Sequence, residues 1–204
     1  NWWSAGDNGP CGPDTEMFYD LTGSLNAGLT KEEYLKADEE QKVVEIWNDV
    51  FMEYEKKDGK VIGKLKTHNV DTGAGLERIT AVLQGKTNVY ETDLFIPILE
   101  KIQELAKTKE QRSEKIIADH IRTAVFMIAD GVIPSNTDRG YILRRLIRRA
   151  VRFSDLLGME QINSITSIAQ VVQEKYQEAF PEVSANGGTV IREVLKNEEA
   201  KFRE

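Results

Sequence analysis

The chain has 204 residues, 40% of them apolar, enough for one large core or two smaller ones. A single cysteine, Cys11, excludes an internal disulfide, and two histidines, His68 and His120, make a poor zinc set, so no protein-bound metal is expected. No run of about 18 apolar residues occurs and the first residues are polar, so neither a membrane span nor a secretory leader is expected and a cytoplasmic location fits best.

In chain order, Asn1 to Pro13 is dense in glycine and proline and is expected to be a shaped loop rather than regular structure. Glu16 to Asp20 can form a short strand. Thr30-Lys31-Glu32-Glu33 reads as a capping box opening an exposed helix. Residues 43–54, rich in Val, Ile, Trp, Phe and Tyr, are predicted to be a central strand, with Glu45, Trp47 and Asp49 on one face and Ile46, Asn48 and Val50 on the other. Asp58-Gly59 marks a hairpin turn, residues 61–71 return as a strand, and Thr72-Gly73-Ala74-Gly75 leads into a helix. The first part is thus a mixed, largely antiparallel sheet.

From Asp93 the apolar spacing becomes helical, and the boundary falls within 86–93. Leu94, Ile98, Ile102 and Leu105 mark one helix, and Ile116, Ile117, His120, Ile121, Ala124, Val125 and Ile128 a second. After Pro134-Ser135-Asn136 comes an arginine-rich helix. Shorter helices follow around 161–180 and 189–202, separated by Asn186-Gly187-Gly188. Both histidines are read as structural.

The net charge of −7 argues against indiscriminate nucleic-acid binding, but the charge is unevenly spread. Residues 1–110 hold 13 Lys+Arg against 21 Asp+Glu, residues 111–158 hold 9 against 5, and residues 159–204 hold 5 against 8. The middle excess comes mostly from Arg139, Arg144, Arg145, Arg148, Arg149 and Arg152. On a helix, Ile142, Leu143, Leu146, Ile147, Ala150 and Val151 take one half of the circumference and the arginines the other. Such a face is either a salt-bridged surface or a row of guanidinium forks for RNA phosphates. Asn136 and Asp138 precede it and can either cap the helix or reach a base edge.

Two segments of the first part can carry chemistry. VDTGAGLERI joins a strand end, glycines that admit a close ligand, and a helix start with Arg78 in its first turns. That suits a nucleotide phosphate, although such an arginine is also commonly solvated or paired with a glutamate. EIWNDVF places an amide, Asn48, among apolar neighbours, where a buried asparagine needs partners from the backbone or from a ligand.

Taken together, NWW…GDNGPCGPDTEMFYD, VVEIWNDVF, VDTGAGLERITAVLQ and ADHIRTAVFMIADGVIPSNTDRGYILRRLIRRAVRF resemble, in order, the alanyl-tRNA synthetase family of class II aminoacyl-tRNA synthetases. The resemblance spans about residues 1–153. It implies an α+β chain: residues 1–92 as the C-terminal part of the antiparallel-sheet catalytic domain with motif 3, and residues 93–204 as the start of an all-helical tRNA-recognition domain. It implies that Arg78 contacts ATP phosphates as the catalytic arginine, that Trp3, Ile46, Trp47, Asn48 and Gly75 line the ATP site, and that Trp3, Asn48, Val50, Asp71 and Gly73 hold alanine. Asp71 would take the ammonium and Val50 the methyl. Mg²⁺ would accompany ATP.

The same resemblance implies that Asn136, Asp138, Arg139, Arg144, Arg145, Arg148, Arg149 and Arg152 face the acceptor stem of tRNA(Ala), where the family recognises a G·U pair. The family's upstream motifs 1 and 2, its editing domain and its C-terminal parts are not among these 204 residues, so weak or no adenylate formation is expected from this chain alone. The alternative is a non-catalytic helical RNA-binding module with a vestigial sheet.

Overall fold

The computed structural model describes residues 1–25, 28–159, 163–184 and 186–204. It divides into two compact units, residues 1–92 and 93–204. In the first, β1 (Trp2–Ser4), β2 (Gly9–Asp20), β3 (Val43–Lys57) and β4 (Lys60–Gly73) form a sheet in the order β1-β2-β3-β4. Every pairing is antiparallel, so the expected mixed sheet is corrected to a plain meander.

The Gly/Pro-rich opening is not a loop. Trp2 to Ser4 pair with Pro13 to Cys11, and Gly9 to Asp20 pair with β3. Two features reconcile this with its composition. The β2–β3 register breaks between Cys11 and Asp14, so Pro13 falls where the ladder is interrupted and its missing N–H costs nothing. Gly12 meanwhile lets β2 press against β3, because a β-carbon there would collide with the Phe51 carbonyl oxygen. Beside it the Cys11 thiol is wholly buried.

Local rules account for the connections. Thr30 caps α1 (Lys31–Glu39) through the full capping box: its hydroxyl accepts from the Glu33 N–H, and the Glu33 carboxylate accepts from the Thr30 N–H at 2.8 Å. At the β3–β4 hairpin, Asp58 and Gly59 both take positive φ, 48° and 77°, the two-residue turn that matches strand twist. The β1–β2 connection buttresses that turn, since Asp58 N–H donates to Asn8 Oδ1 at 2.9 Å and Gly59 N–H to the Asp7 carbonyl at 3.0 Å. β4 extends two residues past the predicted end, to Gly73, before α2 (Leu76–Leu83) begins.

The second unit is built from α3 (Ile96–Leu105), α4 (Gln111–Ala129), α5 (Asp138–Leu156), α6 (Ser164–Tyr176) and α7 (Asn186–Arg203). Its core joins Ile98 and Ile102 to Ile117, Ile121 and Val125 of α4, Leu143 and Ile147 of α5, Ile165, Ile168 and Val172 of α6, and Ile191 and Leu195 of α7. These side chains, each fully buried, recur at helical spacing, and burying each stabilises by about 1.5–3 kcal/mol. α4 opens on Glu110, whose carboxylate accepts from the N–H groups of Arg112 at 2.8 Å and Ser113 at 2.7 Å. Together with the Ser113 hydroxyl, those groups hold its pKa below the usual glutamate value.

Two helix ends differ from the sequence reading. α6 stops at Tyr176, four residues short, because the chain turns there toward Pro181; the expected start at Gln161 lies outside the described residues. α7 begins at Asn186 and includes the two glycines expected to separate the helices. Gly188 sits where a β-carbon would lie 3.2 Å from the Gln173 amide nitrogen, so close packing on α6 explains a small residue inside a helix.

The tight approach at Gly12 gives a direct test. Gly12→Ala forces β2 away from β3 and should lower stability by about 3 kcal/mol or more in urea denaturation, whereas Gly63→Ala, with no atom near the added carbon, should change it far less.

Candidate functional site

The end of β4, the middle of β3 and the short strand β1 line an open cavity of about 290 Å³. Trp3 walls it from β1, Glu45, Asn48 and Val50 line it from β3, and Asp71 through Gly75 close it from β4 and the turn into α2. Val50 stands opposite Asp71 across the ladder and Asn48 opposite Gly73. An aliphatic side chain thus faces a carboxylate, and an amide faces bare backbone.

Simple alternation would place Glu45 on the face away from Asn48 and Val50. The structure corrects that. Phe18 pairs with Glu45 and the next residue of β2 back along the chain, Met17, pairs with Trp47, so β3 carries one extra residue, Ile46. A bulge of one residue reverses the side-chain parity on either side of it, and Glu45 joins Asn48 on the cavity face. There it meets Arg78, whose guanidinium donates to the Glu45 carboxylate at 2.9 Å and to the Glu45 carbonyl at 3.2 Å. The Arg78 stem folds back over Gly75, 3.5 Å from where a β-carbon would sit. With 48% and 33% of the two side chains exposed, the pair is weak and separable.

Of the residues singled out from sequence, Trp3, Asn48, Val50, Asp71, Gly73 and Gly75 meet around this one cavity. Ile46 and Trp47 are not in its lining, and Arg78 reaches its rim through Glu45. Trp47 is turned the other way: its indole N–H donates to the Thr72 hydroxyl at 2.5 Å, which donates to Asp49 at 2.6 Å. This relay ties β3 to β4 behind the cavity. Sequence reasoning missed two participants. Glu45 was hidden by the bulge, and Glu16 accepts from Asn48 at 3.4 Å and from the Asn1 amide at 3.3 Å, a convergence that becomes visible only once β2 is paired with β3.

In the helical unit, the arginines of α5 do not share one environment. Arg148 donates through Nε to Glu198 of α7 at 2.6 Å, and Arg144 Nε lies 3.5 Å from the same oxygen. The Glu198 side chain is only 4% exposed. The salt-bridged reading therefore holds for these two. Arg139, Arg145, Arg149 and Arg152 are more open to solvent, and among the described residues none makes an ion pair; Arg149 lies over the Phe153 ring at 5.6 Å. Ile142, assigned to the core from its spacing, is half exposed together with Tyr141, beside Arg145 and Arg149 on the helix.

Neither Asn136 nor Asp138 caps α5. The N-cap is Thr137, without a side-chain bond, while the Asn136 amide oxygen accepts from Arg144 and Asp138 takes a positive φ of 49°. His120 bonds its neighbour Asp119 at 2.9 Å. Among the described residues no cluster of three or more His, Cys, Asp or Glu could hold a metal ion, and no helix is long and apolar enough to cross a membrane.

Comparison with known proteins adds an independent finding. The family model for tRNA synthetases class II (A) matches residues 1–204. The chain is 42% identical over 209 residues to an alanine–tRNA ligase of Magnetococcus marinus, covering 99% of this chain and 23% of that protein. It is 44% identical over 208 residues to that of Fusobacterium nucleatum (99% and 24%) and 46% over 207 residues to that of Thermotoga petrophila (98% and 24%). The chain thus spans about a quarter of the length of the curated relatives it matches.

The relay behind the cavity is open to a coupled test. Thr72→Val should cost about 1 kcal/mol in denaturant unfolding. Adding Trp47→Phe should cost little more, because both changes remove one shared interaction; full additivity would show that the relay contributes nothing as a unit.

Proposed function

Because the chain belongs to the class II (A) tRNA synthetases, we propose that its sheet unit selects alanine and binds ATP, and that its helical unit holds the acceptor stem of tRNA(Ala), as parts of an alanine–tRNA ligase. The observation that carries this reading is convergence: Trp3, Asn48, Val50, Asp71 and Gly73, the five residues that the family resemblance assigns to alanine, come from three strands and line one cavity.

The residue types fit the chemistry. Asp71 is a carboxylate for the α-ammonium, and a charge-assisted bond of this kind is stronger than a neutral one. Val50 is the apolar surface for the methyl group. A β-carbon on Gly73 would meet no protein atom within 4 Å, so the fold itself does not require glycine there; a backbone reserved for a close ligand does. The alanine carboxylate attacks the α-phosphorus, the bond to pyrophosphate breaks, and a terminal ribose hydroxyl of the tRNA then attacks the alanyl carbonyl and releases AMP. This chain's part is to align the reactants and balance their charge.

Arg78 engages Glu45 through Nη1 alone, which leaves the rest of its guanidinium open to a phosphate, and the weakness of that pair makes a full exchange inexpensive. Glu45 is then free, and it is the oxygen donor suited to a nucleotide-borne Mg²⁺, an ion usually held by one or two carboxylates together with phosphates. When bound, Mg²⁺ offsets phosphate charge. A pocket of this kind separates alanine from glycine by only about 1–3 kcal/mol and rejects serine poorly, so discrimination within it is incomplete.

The ligand test uses a non-hydrolysable alanyl-adenylate analogue and calorimetry. Asp71→Asn should weaken binding by about 10- to 100-fold, the worth of a hydrogen bond to a charged group, and should leave the affinity for the analogue lacking the amino group unchanged. Equal affinity of both proteins for the complete analogue rejects the assignment.

The RNA test uses an acceptor-stem hairpin. Replacing Arg145 and Arg149 with alanine should weaken binding and reduce the salt slope by about one for each phosphate that is no longer neutralised. An unchanged slope would leave these arginines as plain surface.

A further inference from the structure

We infer that Glu16 is a positioning residue: it holds the side-chain amide of Asn48 with the nitrogen toward β2, so that the amide oxygen faces the cavity as a second acceptor, beside Asp71, for the α-ammonium group of the amino-acid substrate. The inference rests on the alanine reading above and deepens it.

Strand register sets up the arrangement. In an antiparallel ladder, residues directly opposite one another carry their side chains on the same face. Glu16 of β2 stands opposite Asn48 of β3, and Asp14 opposite Val50, so β2 brings two carboxylates to the face that carries the cavity. Burial along β2 follows the same alternation, with Asp14 and Glu16 partly covered and Thr15 and Met17 exposed. On the other flank of β3, Gly73 stands opposite Asn48 and Asp71 opposite Val50. Asn48 thus lies between a carboxylate on one side and bare backbone on the other.

The chemistry of these two flanks decides which way the amide turns. A carboxylate only accepts hydrogen bonds, so the end of the amide toward Glu16 must be the nitrogen, and Asn48 Nδ2 donates to Glu16 Oε1 at 3.4 Å. The other carboxylate oxygen, Oε2, accepts from the Asn1 amide at 3.3 Å, which tethers Glu16 to the residue before β1. With its nitrogen toward β2, the Asn48 amide has its oxygen toward β4. Among the described residues no group donates to that oxygen, and it is not sealed from the cavity. It faces the space over Gly73, where an added β-carbon would meet no atom within 4 Å.

Asp71 flanks the same space. Asn48 and Asp71 are diagonal neighbours across the ladder, a backbone separation of about 7–8 Å that lies within side-chain reach. One ammonium nitrogen can bridge two such oxygens, each at about 2.8 Å. An ammonium carries several donors, and each one left unpaired on leaving water costs free energy, so two acceptors select it better than Asp71 alone. The reversed amide would set NH₂ against ammonium, donor against donor. Glu16 is the residue that excludes that orientation.

Two variants of the 204-residue chain test the device: Glu16→Gln and the double variant Glu16→Gln/Asn48→Asp. The first keeps the shape of the side chain but can donate as well as accept, so it no longer dictates the amide's direction. The second reverses the hydrogen bond, because the new amide on β2 donates to the new carboxylate on β3, and it restores an acceptor toward the cavity. Orientation is read without ligand, from nuclear Overhauser contacts and ¹⁵N relaxation of the Asn48 side-chain NH₂. The unmodified chain should show an ordered amide in contact with the Glu16 methylene protons, and Glu16→Gln a mobile one. Binding is read by calorimetry with the alanyl-adenylate analogue and its counterpart lacking the amino group. The preference for the complete analogue should fall by on the order of tenfold in Glu16→Gln, the worth of one hydrogen bond to a charged group, and return in the double variant. Affinity for the counterpart should stay the same throughout, which a loss of structure would not allow.

NH₂ contacts to the Gly73 α-protons in place of Glu16 overturn the positioning role, as does a preference that survives Glu16→Gln or fails to return in the double variant. In each of these cases the alanine reading stands as long as Asp71→Asn abolishes the preference. If Asp71→Asn leaves the preference intact, that reading falls and the inference with it.

Discussion

Strand β3 has to satisfy its backbone along both edges at once, toward β2 and toward β4, and nearly every feature of the sheet unit follows from how it does so. Toward β4 it sets Asp71 against Val50 and Gly73 against Asn48, which creates the two sides of the cavity. Toward β2 it takes up one extra residue, Ile46, and the change of parity brings Glu45 onto the cavity face where it can hold Arg78. Without the bulge the carboxylate would face the other way and Arg78 would lose its ionic partner at the rim. Behind the cavity, Trp47, Thr72 and Asp49 keep the two strands from sliding, so register and site geometry are a single constraint.

The helical unit solves a different problem with related means. α5 carries more guanidinium charge than the interior can accept, and the structure partitions it. Two arginines converge on the buried Glu198, which fastens α7 to α5, while four remain toward solvent. Near the same helix end, Glu199 accepts from Arg203, which also pairs with Asp155 at 2.6 Å. Burial pushes the Glu199 carboxyl above its ordinary pKa despite the pull of Arg203. The last turns of α7 are therefore held by charge as much as by the apolar packing of Ile191 and Leu195.

Features governed by neighbours in sequence could be read directly. The capping box at Thr30, the hairpin turn at Asp58-Gly59 and the apolar stripe of α4 each depend on residues within one or two turns of one another. Six residues of the cavity could be named because recurrent motifs carry their own spacing. What escaped depends on distant partners. The segment from Gly9 to Pro13 has poor strand propensity and is extended because β1 and β3 pair with it from both sides. The bulge at Ile46 is a property of the match between β2 and β3, not of β3 alone. The division of the arginines is decided by a carboxylate about fifty residues further along, and no local count of charges on α5 could separate Arg144 and Arg148 from Arg145 and Arg149.

Cys11, the only thiol of the chain, is sealed at the point where β2 runs between β1 and β3. Oxidants and alkylating reagents act on a thiolate they can reach, so in the folded state this sulfur is shielded, and it becomes reactive only when the β1–β2–β3 layer parts. The protein thus carries a native chemical clock: the rate at which Cys11 is labelled measures how often β2 parts from its two neighbouring strands, with no engineered reporter.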